Sequence, residues 1–219
     1  MAKSIFVRGG MNVSNLGNPA DITSVYVVGV AMDTKMATTL QQFMLQCEHI
    51  TSITIDMVHF HVDAFRQFLK GLKTSQPRIK YMVLQRSGLG YNEMETLANF
   101  LKSAYALTVL NLDLNNFGDA STGMLGACFG PEHKLEEISM CANNVGSVGA
   151  VDLFKKLYRS PHIVSISLAG NPRINDQGAM GIANYVHFFA SVWLAKCSIT
   201  KKGVQAMVDA QSGCWIDIA

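Results

Sequence analysis

The chain has 219 residues, 49% of them hydrophobic and 16% charged, enough apolar material to bury a sizeable core and too much for a disordered tail. Lys and Arg number 18 against 16 Asp and Glu, a formal charge of +2, too small to mark a protein that lives on nucleic-acid phosphates or anionic lipid. No stretch reaches the roughly 18 to 20 uninterrupted apolar residues of a bilayer span, and the N-terminal residues lack the apolar block of a secretory signal, so an intracellular, cytoplasmic protein is expected.

Along the chain, Ser4 to Val7 reads as a capping strand before a Gly9-Gly10 turn, within an N-terminal cap of residues 1–21. From Ile22 a period takes over, with unit starts at Ile22, Ile50, Ile79, Leu107, Leu135, Ile163 and Phe189 and steps of 28, 29, 28, 28, 28 and 26 residues. LTVLNLDLNNFGD from Leu107, LEEISMCANNVGS from Leu135 and IVSISLAGNPRIND from Ile163 all fit L-x-x-L-x-L-x-x-N. Across the seven units the three apolar template positions are the starts, then Val25, Ile53, Met82, Leu110, Ile138, Ile166 and Val192, then Val27, Ile55, Leu84, Leu112, Met140, Leu168 and Leu194. Composition alone would make all of them apolar on the order of once in a few million trials, which excludes coincidence.

The second half of each unit changes period. Leu40, Phe68, Leu97, Leu125, Leu153, Ile182 and Met207 are followed four residues later by Met44, Leu72, Leu101, Phe129, Leu157 and Val186, while the seventh unit breaks the rule at Gln211. Such spacing lies on one helical face, so each unit predicts a short strand followed by a helix. No single unit can bury its apolar stripe, and the stacked product is an α/β solenoid, a horseshoe with a concave parallel sheet and convex helices. Asn115, Asn143 and Asn171 are expected to bond backbone groups in the turn after the strand. Ser87 and Cys197 do this weakly and Val30 and Val58 not at all, so the first two turns need other support. Asp119, Ser147 and Asp176 read as helix N-caps, and the extra residue at Asn171-Pro172-Arg173-Ile174 is expected to bulge without breaking the stack. After residue 211 the segment Cys214-Trp215-Ile216-Asp217-Ile218 alternates like a final strand within a C-terminal cap of residues 212–219, with Trp215 as a lid on the last core layer. With no linker in sight, residues 1–219 read as one domain.

The five cysteines are an odd number without a CxxC pair, read as reduced thiols. His59 and His61 lack a third ligand candidate and read as solvent-facing loop residues. No metal, cofactor or small-molecule substrate is expected.

These motifs, with a helix in every unit, resemble the ribonuclease-inhibitor class of leucine-rich repeats over about residues 22–211. The resemblance implies protein recognition on the concave sheet or its rims. Members of that class include inhibitors, GTPase-activating proteins, actin-capping domains, axonemal subunits and bacterial effectors, and fold alone does not choose among them.

On each strand the outward positions fall two, four, six and seven residues after the start. They make a small, polar, faintly acidic face whose candidate partner-binding residues are Tyr26, Thr54, Asp56, Tyr81, Val83, Arg86, Asn111, Asp113, Glu137, Ser139, Ser167 and Trp193. Aromatic anchors among small polar residues suit a protein partner, because buried aromatic side chains carry a disproportionate share of binding energy. The competing reading leaves this face solvated and puts the partner on the helices or an edge.

Catalysis is not expected. Asp113 and Glu137, on adjacent strands, are placed as near neighbours, but on an open sheet they lack water exclusion. Cys141 has no visible base, and Gly88-Leu89-Gly90 lacks the Lys-Ser/Thr of a phosphate loop. The function expected is therefore a non-catalytic scaffold or adaptor, a subunit of a larger assembly that binds no nucleic acid. The alternative is a regulator of a small GTPase resembling Ran-GTPase activators. It ranks second because that family is typically longer and ends in an acidic tail, whereas this sequence stops at Ile218-Ala219. Actin capping, as in the repeat domain of tropomodulin, ranks lower still because it predicts a helix beyond the repeats.

Overall fold

A computed structural model describes residues 3–9, 16–210 and 213–218. In chain order the strands are β1 (Lys3–Arg8), β2 (Ile22–Val28), β3 (Ala31–Met32), β4 (Ser52–Asp56), β5 (His59–Phe60), β6 (Tyr81–Gln85), β7 (Val109–Asn111), β8 (Glu137–Ser139), β9 (Ser165–Ser167), β10 (Ser191–Trp193) and β11 (Trp215–Asp217). The helices are α1 (Thr34–Met44), α2 (Ala64–Gly71), α3 (Tyr91–Leu101), α4 (Asp119–Gly126), α5 (Ser147–Leu157), α6 (Asp176–Ala183) and α7 (Lys201–Ala210). Nine strands form one parallel sheet in the order β1-β2-β4-β6-β7-β8-β9-β10-β11. Parallel neighbours need a crossover between them, which from β2 to β10 the helix of each unit supplies on the opposite side of the core. This is the expected α/β solenoid. The expected Gly9-Gly10 turn and the break at Gln211 fall partly or wholly outside the described residues, since Gly10 and Gln211 are among those not described.

The register explains why a step near 28 works. Every start and both later apolar template positions of all seven units are buried, and their neighbours in the strand point the other way because side chains alternate across a strand. The same helical face that was read from spacing is buried, from Leu40 through Met207. In three units the helix is shorter than that spacing predicts: α2 ends at Gly71, α4 at Gly126 and α6 at Ala183. Phe129 and Val186 still reach the core, from the segment after α4 and from a 3-10 turn at Val186–Phe188.

Three buried or half-buried amides hold the turns of the central units. Asn115 donates to the Leu84 carbonyl at 2.7 Å and accepts from Ser87 and Leu89. Asn143 donates to the Leu112 carbonyl at 2.8 Å and Asn171 to the Met140 carbonyl at 3.0 Å. Each amide thus ties its own unit to the preceding one. Where the valines stand, β3 and β5 do this work: the His59 N–H donates to the Val30 carbonyl at 2.9 Å and the His61 N–H to that of Met32 at 3.0 Å. His59 therefore lies in a short strand and not a loop, although both histidines are exposed, with ring centroids 5.6 Å apart.

The N-cap expectation is displaced by one residue. Asp119, Ser147 and Asp176 are the first helical residues, and the caps are Gly118, Gly146 and Asn175. The two carboxylates serve the next helix instead of their own. Asp119 accepts from the Gly146 N–H at the start of α5, and Asp176 accepts from the Thr200 and Gly203 N–H groups at the start of α7, at 2.7 and 3.2 Å. The orphan amides of a helix N-terminus attract a carboxylate from either source. The Thr200 hydroxyl, then its backbone N–H, hold the Asp176 carboxyl below its usual range against the smaller upward push of burial.

This lateral capping demands close approach between helices, and Gly149 permits it. A Cβ there would stand 2.6 Å from the Asp119 Cα and 2.6 Å from the Thr122 Oγ1. Replacing Gly149 with Ala is expected to destabilise the chain by about 1–3 kcal/mol, overpacking outweighing the roughly 1 kcal/mol gain in helix propensity. A thermal melt at or above the wild-type midpoint would show that α4 and α5 separate freely.

Candidate interaction surface

The outward side chains stand in two continuous rows across the sheet. One runs Ser24, Ser52, Tyr81, Val109, Glu137, Ser165, Ser191, Trp215; the other runs Phe6, Tyr26, Thr54, Val83, Asn111, Ser139, Ser167, Trp193, Asp217. Eleven of the twelve candidate residues therefore share one face: Tyr26, Thr54, Asp56, Tyr81, Val83, Asn111, Glu137, Ser139, Ser167 and Trp193 on the strands, and Asp113 beyond the end of β7. Tyr81 is 50% exposed and Trp193 37%.

The acidic members are not equivalent. Asp56 is only 9% exposed and is held by Arg86, whose Nε donates to Oδ1 at 2.7 Å and whose Nη2 donates to Oδ2. A carboxylate in such a fork is already neutralised, so Asp56 and Arg86 form a brace between β4 and the turn after β6. Asp113 accepts from Asn111 at 3.0 Å, from the Ser139 hydroxyl at 2.6 Å and from the Cys141 N–H at 2.7 Å. Nor is it beside Glu137. Glu137 pairs with Val109, four residues earlier along the strand, which at about 3.3 Å per residue separates the two backbones by about 13 Å. The carboxylate pair expected from sequence does not exist.

The thiols are quiet. Burial pushes Cys47 and Cys128 up to about 11 and raises Cys197 and Cys214 as well, so these four stay protonated at neutral pH. Cys141 lies between the Ser139 and Ser167 hydroxyls, at 3.3 and 2.9 Å.

Two aromatic residues were missed. Trp215 is no lid: it is 51% exposed and stands beside Trp193, ring centroids 4.2 Å apart and planes inclined by 60°. At the other end Phe6 stacks on Tyr26 at 4.7 Å with planes 10° apart, and the Arg8 guanidinium lies 5.9 Å from the Phe6 centroid. The signal was the strand phase itself, since Phe6 falls between buried Ile5 and Val7 as Tyr26 does between Val25 and Val27. Between the aromatic ends, residues of β7 to β10, including Glu137, Ser165, Ser191 and Trp193, line a hollow of about 520 Å³. On the helical side Leu69, Lys70, Lys73, Glu95 and Phe100 line a second hollow of about 400 Å³ between α2 and α3.

A family model described as a leucine-rich repeat matches residues 159–183. Among curated proteins, NACHT, LRR and PYD domains-containing protein 12 of Mus musculus is 28% identical over 143 residues, which cover 62% of this chain and 13% of that protein. Among solved structures, a chain from the crystal structure of the Rad7 and Elc1 complex in yeast superposes with a TM-score of 0.52 at 11% identity, over 90% of this chain and 56% of that one. The chain thus spans well under two thirds of the length of each. The sequence similarities are to leucine-rich repeat proteins, and the parallel sheet with its crossover helices is an α/β solenoid; neither selects the ribonuclease-inhibitor class. Among the described residues no helix is long and apolar enough to cross a membrane.

Proposed function

We propose, for a chain with the leucine-rich repeat fold, a non-catalytic scaffold or adaptor that holds a protein partner against the outward face of its parallel sheet, as one subunit of a larger assembly. The ribonuclease-inhibitor class belongs to the same proposal, supported by a helix in every unit and steps near 28 residues. The observation that carries the reading is the exposure of Tyr81, Trp193 and Trp215 around a floor of small hydroxyl side chains. Large aromatic side chains left in water on a rigid face become anchors when a partner covers them. The solved neighbour being described as a complex of Rad7 with Elc1 supports assembly as the mode of action.

Affinity purification with mass spectrometry identifies the partner, and a titration then tests the surface. Tyr81→Ala combined with Trp193→Ala is expected to weaken capture by about 30-fold or more while far-UV circular dichroism stays unchanged, the effect of removing anchors worth about 2 kcal/mol or more. Lys70→Glu with Lys73→Glu, in the helical hollow, is expected to leave capture intact. The reverse pattern would move the partner to the helices. A GTP-hydrolysis assay with small GTPases separates the scaffold from the alternative reading as a GTPase regulator.

A further inference from the structure

Among the described residues of the sheet face, Glu137 is a carboxylate that nothing in the fold occupies, across the floor from the tryptophans. Asp56 is spent on Arg86 and Asp113 on its three donors, but Glu137 is exposed and takes no part in the ion pairs among the described residues. In its row it is followed on successive strands by Ser165, Ser191 and Trp215. At about 4.8 Å per strand the Glu137 and Trp215 backbones stand about 14 Å apart. The slot between them is floored by the hydroxyls of Ser191 and Ser165, which bond each other at 2.9 Å. Trp193 lines the same hollow as Glu137, and no Lys or Arg occupies an outward position of β7 to β10. The slot therefore offers an open aromatic face, an unpaired carboxylate and a floor of hydroxyl oxygens.

We propose that this slot takes the guanidinium of an arginine in an extended segment of the protein partner, stacked on the Trp193–Trp215 pair and hydrogen-bonded to Glu137. The inference rests on the sheet-face reading above and names the chemistry of its partner. An apolar side chain there would bury the Glu137 carboxylate without a counter-charge, which is costly. A planar, weakly hydrated guanidinium stacks on an indole and meets a carboxylate through two parallel N–H groups; the compact, strongly hydrated ammonium of lysine cannot do both.

Trp193 and Trp215 are the only two tryptophans of the chain, so its indole fluorescence reports on the slot directly. The test titrates the whole chain with a synthetic peptide alternating serine and arginine, and with the same peptide carrying lysine or uncharged citrulline in place of arginine. A saturable fluorescence change is expected with the arginine peptide, about tenfold weaker with lysine and weaker still with citrulline, and weakened by added salt. Glu137→Gln is expected to lower affinity for the arginine peptide about tenfold with unchanged circular dichroism. No saturable change, equal binding of the citrulline peptide, or full affinity in Glu137→Gln overturns the slot. If those results come while Tyr81→Ala with Trp193→Ala still abolishes partner capture, the sheet-face reading survives and only the arginine assignment falls. Arginine-selective binding with partner capture indifferent to the double substitution upholds the slot's chemistry and removes the wider reading.

Discussion

Leu112→Asp is expected to unfold the chain. Leu112 follows β7, fully buried, at the same template position as buried Leu84 in the unit before it and Met140 in the unit after. A carboxylate there has no cation to pair with and no route to water. The uncompensated burial of a charge costs several kcal/mol even after local relaxation. Against a total stability of about 5–15 kcal/mol for a typical domain, that is most or all of the margin. The solenoid makes the loss worse, because each unit is stabilised mainly by its two neighbours and a disrupted central layer uncouples both halves. The control lies two residues away. Leu114 is 52% exposed with φ of 57°, a left-handed conformation that Asp tolerates better than Leu, so Leu114→Asp is expected to melt within a few degrees of wild type. Equal melting of the two variants would refute the burial of the Leu112 side chain within the stack.

How much of this was readable beforehand follows from what a period can encode. The template repeats because every unit meets the same neighbour, so one phase, counted from Ile22 to Phe189, placed every core strand residue and eleven of the twelve candidates on their faces. The phase was not carried into the terminal strands. Trp215 was read as a cap, although it precedes Ile216 as Ser191 precedes Val192, and that alone puts it on the open face.

The other misreadings concern side chains that reach sideways between units. Asp56 and Arg86 are 30 residues apart and one position out of phase, so they meet diagonally on neighbouring strands, a contact that a list of faces does not contain. Asp119 and Asp176 were assigned to their own helix ends because sequence proximity suggests it. The stack instead brings the next helix's free N–H groups within their reach. For Asn115, Asn143 and Asn171 the sequence predicts an amide that satisfies backbone groups of its own turn; the structure adds a bond from each to a carbonyl of the preceding unit.

Of those amides Asn171 offers the sharpest test. It is fully buried; its Nδ2 donates to the Met140 and Leu168 carbonyls at 3.0 and 2.7 Å, and its Oδ1 accepts from the Asn143 and Val145 N–H groups at 2.9 and 3.0 Å. Asn171→Ala would strand four buried backbone groups, each costing about 1–3 kcal/mol unless water enters. A loss of about 4 kcal/mol, or about 10 °C in melting temperature for a chain of this size, is expected. Asn171→Asp separates the two halves of the amide. It keeps the accepted bonds but turns a carboxylate oxygen toward two carbonyls, which raises the folded-state pKa of the introduced carboxyl above its unfolded value of about 3.9. The proton is then bound more tightly in the folded state, so this variant comes closest to wild type below about pH 4 and loses ground as pH rises through the folded pKa. A gap from wild type that stays constant between pH 4 and 7 would mean that the donor half of the amide carries no weight, and that the central turns are held by the strands alone.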